Sequence, residues 1–199
     1  MTRSQLKRRG RDVLSGNWGI ALVTMVINGA ISGLTSAILP GLGGMVVSGP
    51  MEFGVQRIYL SLQREREPSV EEIFSGFEHF LNCFLTGVLR GVFCFLWGLL
   101  LIVPGIVKSI AYSQVFFLLN DDPEMEAMDV LRASEDLMDG HKLEYFLLQL
   151  SFLPWILLCV FIVPLFYVVP YISATNAAYY EYLCASLGEE QGEEEETFE

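Results

Sequence analysis

Charge is scarce in this chain. Asp, Glu, Lys and Arg make up 18% of its 199 residues, and long stretches carry none. A water-soluble domain spreads charge over its whole surface, and that pattern is excluded here. Cysteine is scarce as well. Cys83, Cys94, Cys159 and Cys184 each sit in an apolar run without CxxC spacing, which excludes a disulfide framework and leaves small apolar residues. The only histidines are His79 and His141. HExxH is absent, and His141-x-x-Glu144 offers two ligands at most, so no metal is expected. GxxxxGK[ST], GxGxxG and GxSxG are also absent, and no Ser/His/Asp grouping stands out. No catalytic residue and no cofactor are expected. Basic residues are few and lie beside apolar runs, which argues against nucleic-acid binding.

What is abundant is apolar sequence: 52% of residues, with a mean hydropathy of +0.43. A membrane-crossing helix takes roughly 20 mostly apolar residues. Six segments fit: 18–39, 43–62, 80–103, 105–119, 145–168 and 170–187. The expected fold is all-α, a polytopic membrane helical bundle. The second segment is the weakest, because Gly49-Pro50, Glu52 and Arg57 interrupt it. The run from Trp18 to Leu39 is too long for a signal-peptide core and lacks a small-x-small cleavage site, so it reads as an uncleaved first span. Lys and Arg set the orientation. One parity puts Arg3, Lys7, Arg8, Arg9, Arg11, Arg57, Arg64, Arg66, Arg132 and Lys142 all inside. Both termini are then cytoplasmic and the protein is multi-pass in the plasma membrane.

The expected outer turns hold Pro40-Gly41, Pro104-Gly105, and Pro164 with Pro170, which end helices and close hairpins. On the inner side Gly16, Gly76 and Gly140 recur at intervals of 60 and 64 residues. Three tandem units follow, 1–62, 69–119 and 123–187, within one membrane domain spanning 1–187. Each consists of a short interfacial amphipathic helix, a glycine joint and a hairpin. Ser69 and Glu72 form a capping box, followed by a stripe of Val70, Ile73, Phe74 and Phe77. Asp122 can cap the next helix with Pro123 at its first position; Ala127, Val130, Leu131, Ser134 and Met138 form its buried stripe. The basic residues Arg3, Lys7, Arg8, Arg9 and Arg11 suit anionic lipid headgroups, at roughly 1 kcal/mol each near the surface. Residues 188–199 carry seven glutamates. They read as a disordered acidic tail, first a solubilising end and second a docking site for a basic protein partner.

Three polar residues stand at membrane depth. Asn28, Glu52 and Arg90 lie near the middles of the first three segments. Ionisable groups there need a partner or a cavity, so Glu52 and Arg90 are expected to pair, with Asn28 nearby. Gly29/Gly33 and Gly87/Gly91 offer small-residue faces for close helix packing. Lys108 and Glu181 lie nearer segment ends, where they can snorkel to the outer and inner interface respectively.

The chain resembles the bacterial integral-membrane family known as domain of unknown function 975. The resemblance rests on Gly16-Asn17-Trp18, on Pro104-Gly105-Ile106 with Lys108 and Ala111-Tyr112, and on Asp121-Asp122-Pro123. It continues through Ser134, Leu137-Met138, Gly140-His141-Lys142, Leu150-Ser151-Phe152 with Trp155, and Pro170-Tyr171. It implies a multi-span membrane protein of Gram-positive-type bacteria with no assigned activity. A weaker similarity is to the membrane domain of some bacterial glycerophosphodiester phosphodiesterases, but no catalytic phosphodiesterase domain is present. A non-catalytic scaffold, lipid-interacting or accessory component is the first expectation. A small-solute or ion transporter or channel using Asn28, Glu52 and Arg90 is the second. A membrane-embedded lipid enzyme using Asp139, His141 and Glu144 is the third.

Overall fold

The structure, a computed structural model, describes residues 2–38, 42–158 and 162–197. These residues form helices and connecting turns, with no strand among them. In chain order they are α1 (Arg3–Leu14), α2 (Trp18–Ile38), α3 (Leu42–Gln63) and a 3-10 helix (Val70–Phe77). Then come α4 (Phe80–Leu100), α5 (Ile102–Ala111), α6 (Val115–Asp121) and α7 (Ala127–Leu137). The last are α8 (Lys142–Leu150), α9 (Leu153–Leu158) and α10 (Ile162–Thr197).

The short leading helices start where local chemistry satisfies their first N–H groups. The Thr2 backbone N–H donates to Gln5 at 2.7 Å, and that of Ser69 donates to Glu72 at 3.1 Å, each within a capping box. Gly16 and Gly140, at φ of +100° and +73°, turn the chain from a leading helix into the next hairpin, a backbone region that favours glycine. Gly76 answers a different need. A Cβ there would lie 2.1 Å from the Pro50 carbonyl oxygen, so its role is close approach.

Packing follows a ring. α1 docks on α10, the 3-10 helix docks on α3, and α7 docks on α4 and α6. Each leading helix thus rests on the hairpin that precedes it, the last hairpin serving the first leading helix. α2 lies against α3 and α10, α4 against α3 and α5, and α8 against α5. One hydrophobic cluster joins α1, α3, α8 and α10 around Leu6, Ile58, Leu148, Tyr179 and Tyr180. A second joins Phe53 to α4 through α7, around Cys83, Phe116 and Val130.

Several sequence expectations change. α3 runs unbroken through Pro50; surrounding helices allow a proline's lost hydrogen bond within a bundle. The fourth segment is divided at 112–114 into α5 and α6, where Gln114 is fully buried and donates to Ser113 at 2.8 Å. The fifth is divided at 151–152 into α8 and α9. Pro154 lacks the N–H that the Leu150 carbonyl would need, so the helix stops before it. Pro104 stands in the first turn of α5, after the reversal at Leu101, and Pro170 stands inside α10. Pro40-Gly41 lies outside the described residues. In the 3-10 helix Ile73, Ser75 and Gly76 are buried, while Val70, Phe74 and Phe77 are exposed. Winding at three residues per turn moves the buried face away from the α-helical stripe. Residues Ala127, Val130, Leu131, Ser134 and Met138 are all buried, but α7 begins at Ala127, and Asp122 instead accepts from the Glu124 backbone at 3.2 Å within the preceding turn. The backbone of the acidic tail is helical as far as Thr197, where disorder was expected; glutamate and glutamine are good helix formers.

Among the described residues, the stretches long and apolar enough to cross a bilayer are Trp18–Ala37 and Phe80–Leu100. The apolar surface extends beyond them. At the α4–α5 tip, Phe95, Leu99, Leu100 and Val103 are each about 70% exposed.

Candidate functional site

Glu52 and Arg90 each sit ten residues into their helix, roughly 15 Å from its start, on α3 and α4. Their helices cross closely because Gly49 meets α4 without a side chain. A Cβ on Gly49 would lie 2.4 Å from the Cys83 carbonyl oxygen, and one on Gly87 would lie 3.4 Å from the Gly49 Cα. That approach brings Arg90 Nη1 within 2.9 Å of Glu52 Oε1, to which it donates a hydrogen bond. Gln56, one turn along α3, donates to the same oxygen at 3.4 Å. The Arg90 guanidinium also lies over the Phe116 ring, 5.8 Å from its centroid, a favourable place for a cation. The pair lines a cavity of about 310 Å³ together with Ser48, Gly91, Cys94 and Ser109.

Asn28 does not join the pair. It is half-buried, absent from the cavity lining, and hydrogen-bonded to neither residue. α2 packs on α3 and α10, whereas Arg90 reaches α3 from α4. Among the described residues, a Cβ on Gly29, Gly33 or Gly91 would have no neighbour within 4 Å. The glycines that permit close packing near the site are Gly49, Gly54, Gly76 and Gly87.

The basic residues of α1 divide into two groups. Lys7 donates to the Ser151 carbonyl at 3.1 Å and lies 4.3 Å from the Phe152 ring centroid. Partial burial lowers its pKa, and the neighbouring Arg11 charge adds to the shift. Arg11 lies over Tyr171. Both are therefore held against the third hairpin. Arg3 and Arg8 remain exposed, and Arg8 meets Asp12 only at 4.0 Å. Arg8, Arg9 and Arg66 line a cavity of about 620 Å³, alongside Asp12, Glu65 and Glu67.

A second polar centre was not expected from the sequence. Arg64 Nε donates to Glu181 at 2.7 Å, and its two terminal nitrogens donate to the two Asp121 oxygens at 2.6 and 3.0 Å. Tyr180 donates to Asp121 at 2.6 Å. The bidentate Asp121 bond holds the Arg64 guanidinium above its ordinary pKa, with Glu181 adding to it. One arginine thus ties together the ends of α3 and α6 and the body of α10. Glu181 serves this contact instead of snorkelling to an interface. Arg64 and Asp121 lie at polar helix ends and Glu181 lies within α10, so no single sequence signal marks the three together. Arg64→Gln is expected to lose roughly 2 kcal/mol, between the values for surface and buried pairs. An unchanged thermal transition in detergent would show that the contact contributes nothing.

Lys108 pairs with Glu135 of α7 and sits 5.6 Å from the centroids of both Trp97 and Tyr112. α7 packs close enough along the bundle to offer a carboxylate, so the ammonium does not reach outward. His141 Nδ1 lies 3.6 Å from Glu144. Among the described residues no group of three His, Cys, Asp or Glu could hold a metal ion.

No curated protein and no solved structure matches this chain. Residues 99–186, from the α4–α5 tip into α10, match the family described as protein of unknown function (DUF975).

Proposed function

We propose that this chain is a non-catalytic, lipid-interacting component of the plasma membrane, carried in the bilayer by its three apolar hairpins. The observation that supports this most is the α4–α5 tip. Leu99, Leu100, Leu101 and Val103 are 63–74% exposed around Trp97. A surface of that kind needs a hydrocarbon environment or a partner. α2 and α4 have the length and hydropathy to cross. A six-segment arrangement with both termini cytoplasmic follows from the Lys/Arg distribution. Arg3, Arg8 and Arg9 are the residues left to meet anionic headgroups, since Lys7 and Arg11 are engaged by the third hairpin. The acidic tail would serve a basic protein partner.

The test uses Trp97 as the sole tryptophan, in a Trp18→Phe/Trp155→Phe background reconstituted in vesicles. Lipids brominated along the acyl chain should quench its fluorescence by more than half. Quenching by aqueous iodide alone would place the tip in water and end the proposal. A transporter is the second reading, favoured by the Glu52–Arg90 pair in mid-helix beside a cavity.

A further inference from the structure

The Glu52–Arg90 pair is incompletely used. A guanidinium has five donors, yet among the described residues Arg90 donates one hydrogen bond, to Glu52 Oε1. Gln56 donates to that same oxygen, so no hydrogen bond between described residues is seen at Oε2. The Glu52 and Arg90 side chains remain 41% and 27% exposed and open into the cavity of about 310 Å³. Gly91 adds room, because a Cβ there would meet nothing within 4 Å.

Cys94 and Ser109 line this cavity. The same two residues line an adjoining cleft of about 380 Å³, walled by Gly98, Gly105, Ile106 and Phe146. The cleft is apolar and lies toward the α4–α5 tip. A charged end and an apolar continuation, sharing two residues, match an amphiphile. The free guanidinium edge suits an oxyanion that accepts two parallel hydrogen bonds. The second Glu52 oxygen suits an ammonium.

We infer that the Glu52–Arg90 cavity and its adjoining cleft bind a phospholipid with a phosphate–ammonium headgroup. Arg90 takes the phosphate, Glu52 the amine, and the cleft an acyl chain. This rests on the membrane-embedded reading above. It also explains how an ion pair stays open at mid-helix, since a bound headgroup supplies the partners that hydrocarbon cannot.

The test measures lipids retained by the full chain in detergent, by native mass spectrometry. The probes are dioleoyl-phosphatidylethanolamine, dioleoyl-phosphatidylglycerol, dioleoylglycerol and soluble phosphoethanolamine. Phosphatidylethanolamine should be retained at least tenfold better than dioleoylglycerol, and better than phosphatidylglycerol. Gly91→Leu fills the cavity without touching either charge and should cut that retention tenfold. The Glu52→Gln/Arg90→Gln double variant should do the same, and Glu52→Gln alone should erase the preference over phosphatidylglycerol. Unchanged retention in a folded Gly91→Leu protein overturns the site. Equal retention of dioleoylglycerol reduces it to apolar adhesion and also overturns it. Displacement by an equal concentration of phosphoethanolamine overturns the lipid as the source of the headgroup. The Trp97 quenching measurement decides the membrane reading separately, so a chain that is quenched but fails here loses only this inference.

Discussion

Replacing Arg90 by glutamine is expected to destabilise the protein more than replacing Arg90 and Glu52 together. The single change leaves a carboxylate in the middle of the bundle with Gln56 as its remaining donor. Breaking a buried pair from one side costs about 3–5 kcal/mol, and partial exposure of both side chains places this case near about 3 kcal/mol. Arg90→Gln also forfeits the contact with the Phe116 ring. Glu52→Gln should cost a similar amount, because a cation is then left beside two amides. The double variant restores neutrality, and two amides can hydrogen-bond to one another. It should recover more than half of the summed single losses, a coupling of about 3 kcal/mol or more and so at the upper end for residues in contact. Denaturant titration of detergent-solubilised protein measures all three. Additive single losses, with no recovery in the double variant, would mean the 2.9 Å contact carries no energy.

Much of this pair was legible before any coordinates. Two opposite charges stood in apolar runs at matching helical depth, and low dielectric leaves such groups few alternatives to pairing. Asn28 shared that depth without joining, because depth does not fix azimuth: α2 and α4 approach α3 separately. The glycine spacings misled for the same reason. Gly29 and Gly33 have the small-residue pattern, but among the described residues a Cβ on either would meet nothing within 4 Å. The positions that carry close contacts, Gly49, Gly54 and Gly76, show no GxxxG spacing: Gly49 faces α4, and Gly54 and Gly76 stand on opposite sides of the contact between α3 and the 3-10 helix.

Segment lengths were readable only where composition is uniform. α2 and α4 emerge nearly as expected. The fourth and fifth segments are as apolar as the others but divide at 112–114 and 151–152, and hydropathy does not register a buried Gln114 or a proline three residues past a serine. The Arg64 centre was illegible for a different cause. Arg64, Asp121 and Glu181 are more than fifty residues apart in sequence; Arg64 and Asp121 stand in polar contexts that look like ordinary surface, and Glu181 stands near the end of an apolar segment. What joins them is the packing of α3 against α6 and α10, a long-range property absent from any local window.

Gly76→Ala is the substitution expected to do most damage for its size. A single added methyl would lie 2.1 Å from the Pro50 carbonyl oxygen and 2.8 Å from the Pro50 Cα. These are backbone atoms, so no rotamer change can relieve the clash and the 3-10 helix must lift off α3. Gly54→Ala meets the reverse side of the same contact, 1.9 Å from the Ile73 carbonyl oxygen. Each should cost at least about 3 kcal/mol, at the upper end for overpacking. Lifting the 3-10 helix also uncovers Ile73, which is fully buried. Gly29→Ala and Gly33→Ala provide the contrast. A Cβ at either position meets nothing within 4 Å, and alanine favours the helix over glycine by up to about 1 kcal/mol. Those two should leave the protein as stable as before or slightly more so. If Gly76→Ala melts with the unsubstituted protein while Gly29→Ala falls below it, the 3-10 helix does not rest on α3. The ring of leading helices docked on preceding hairpins would then be open at its second joint.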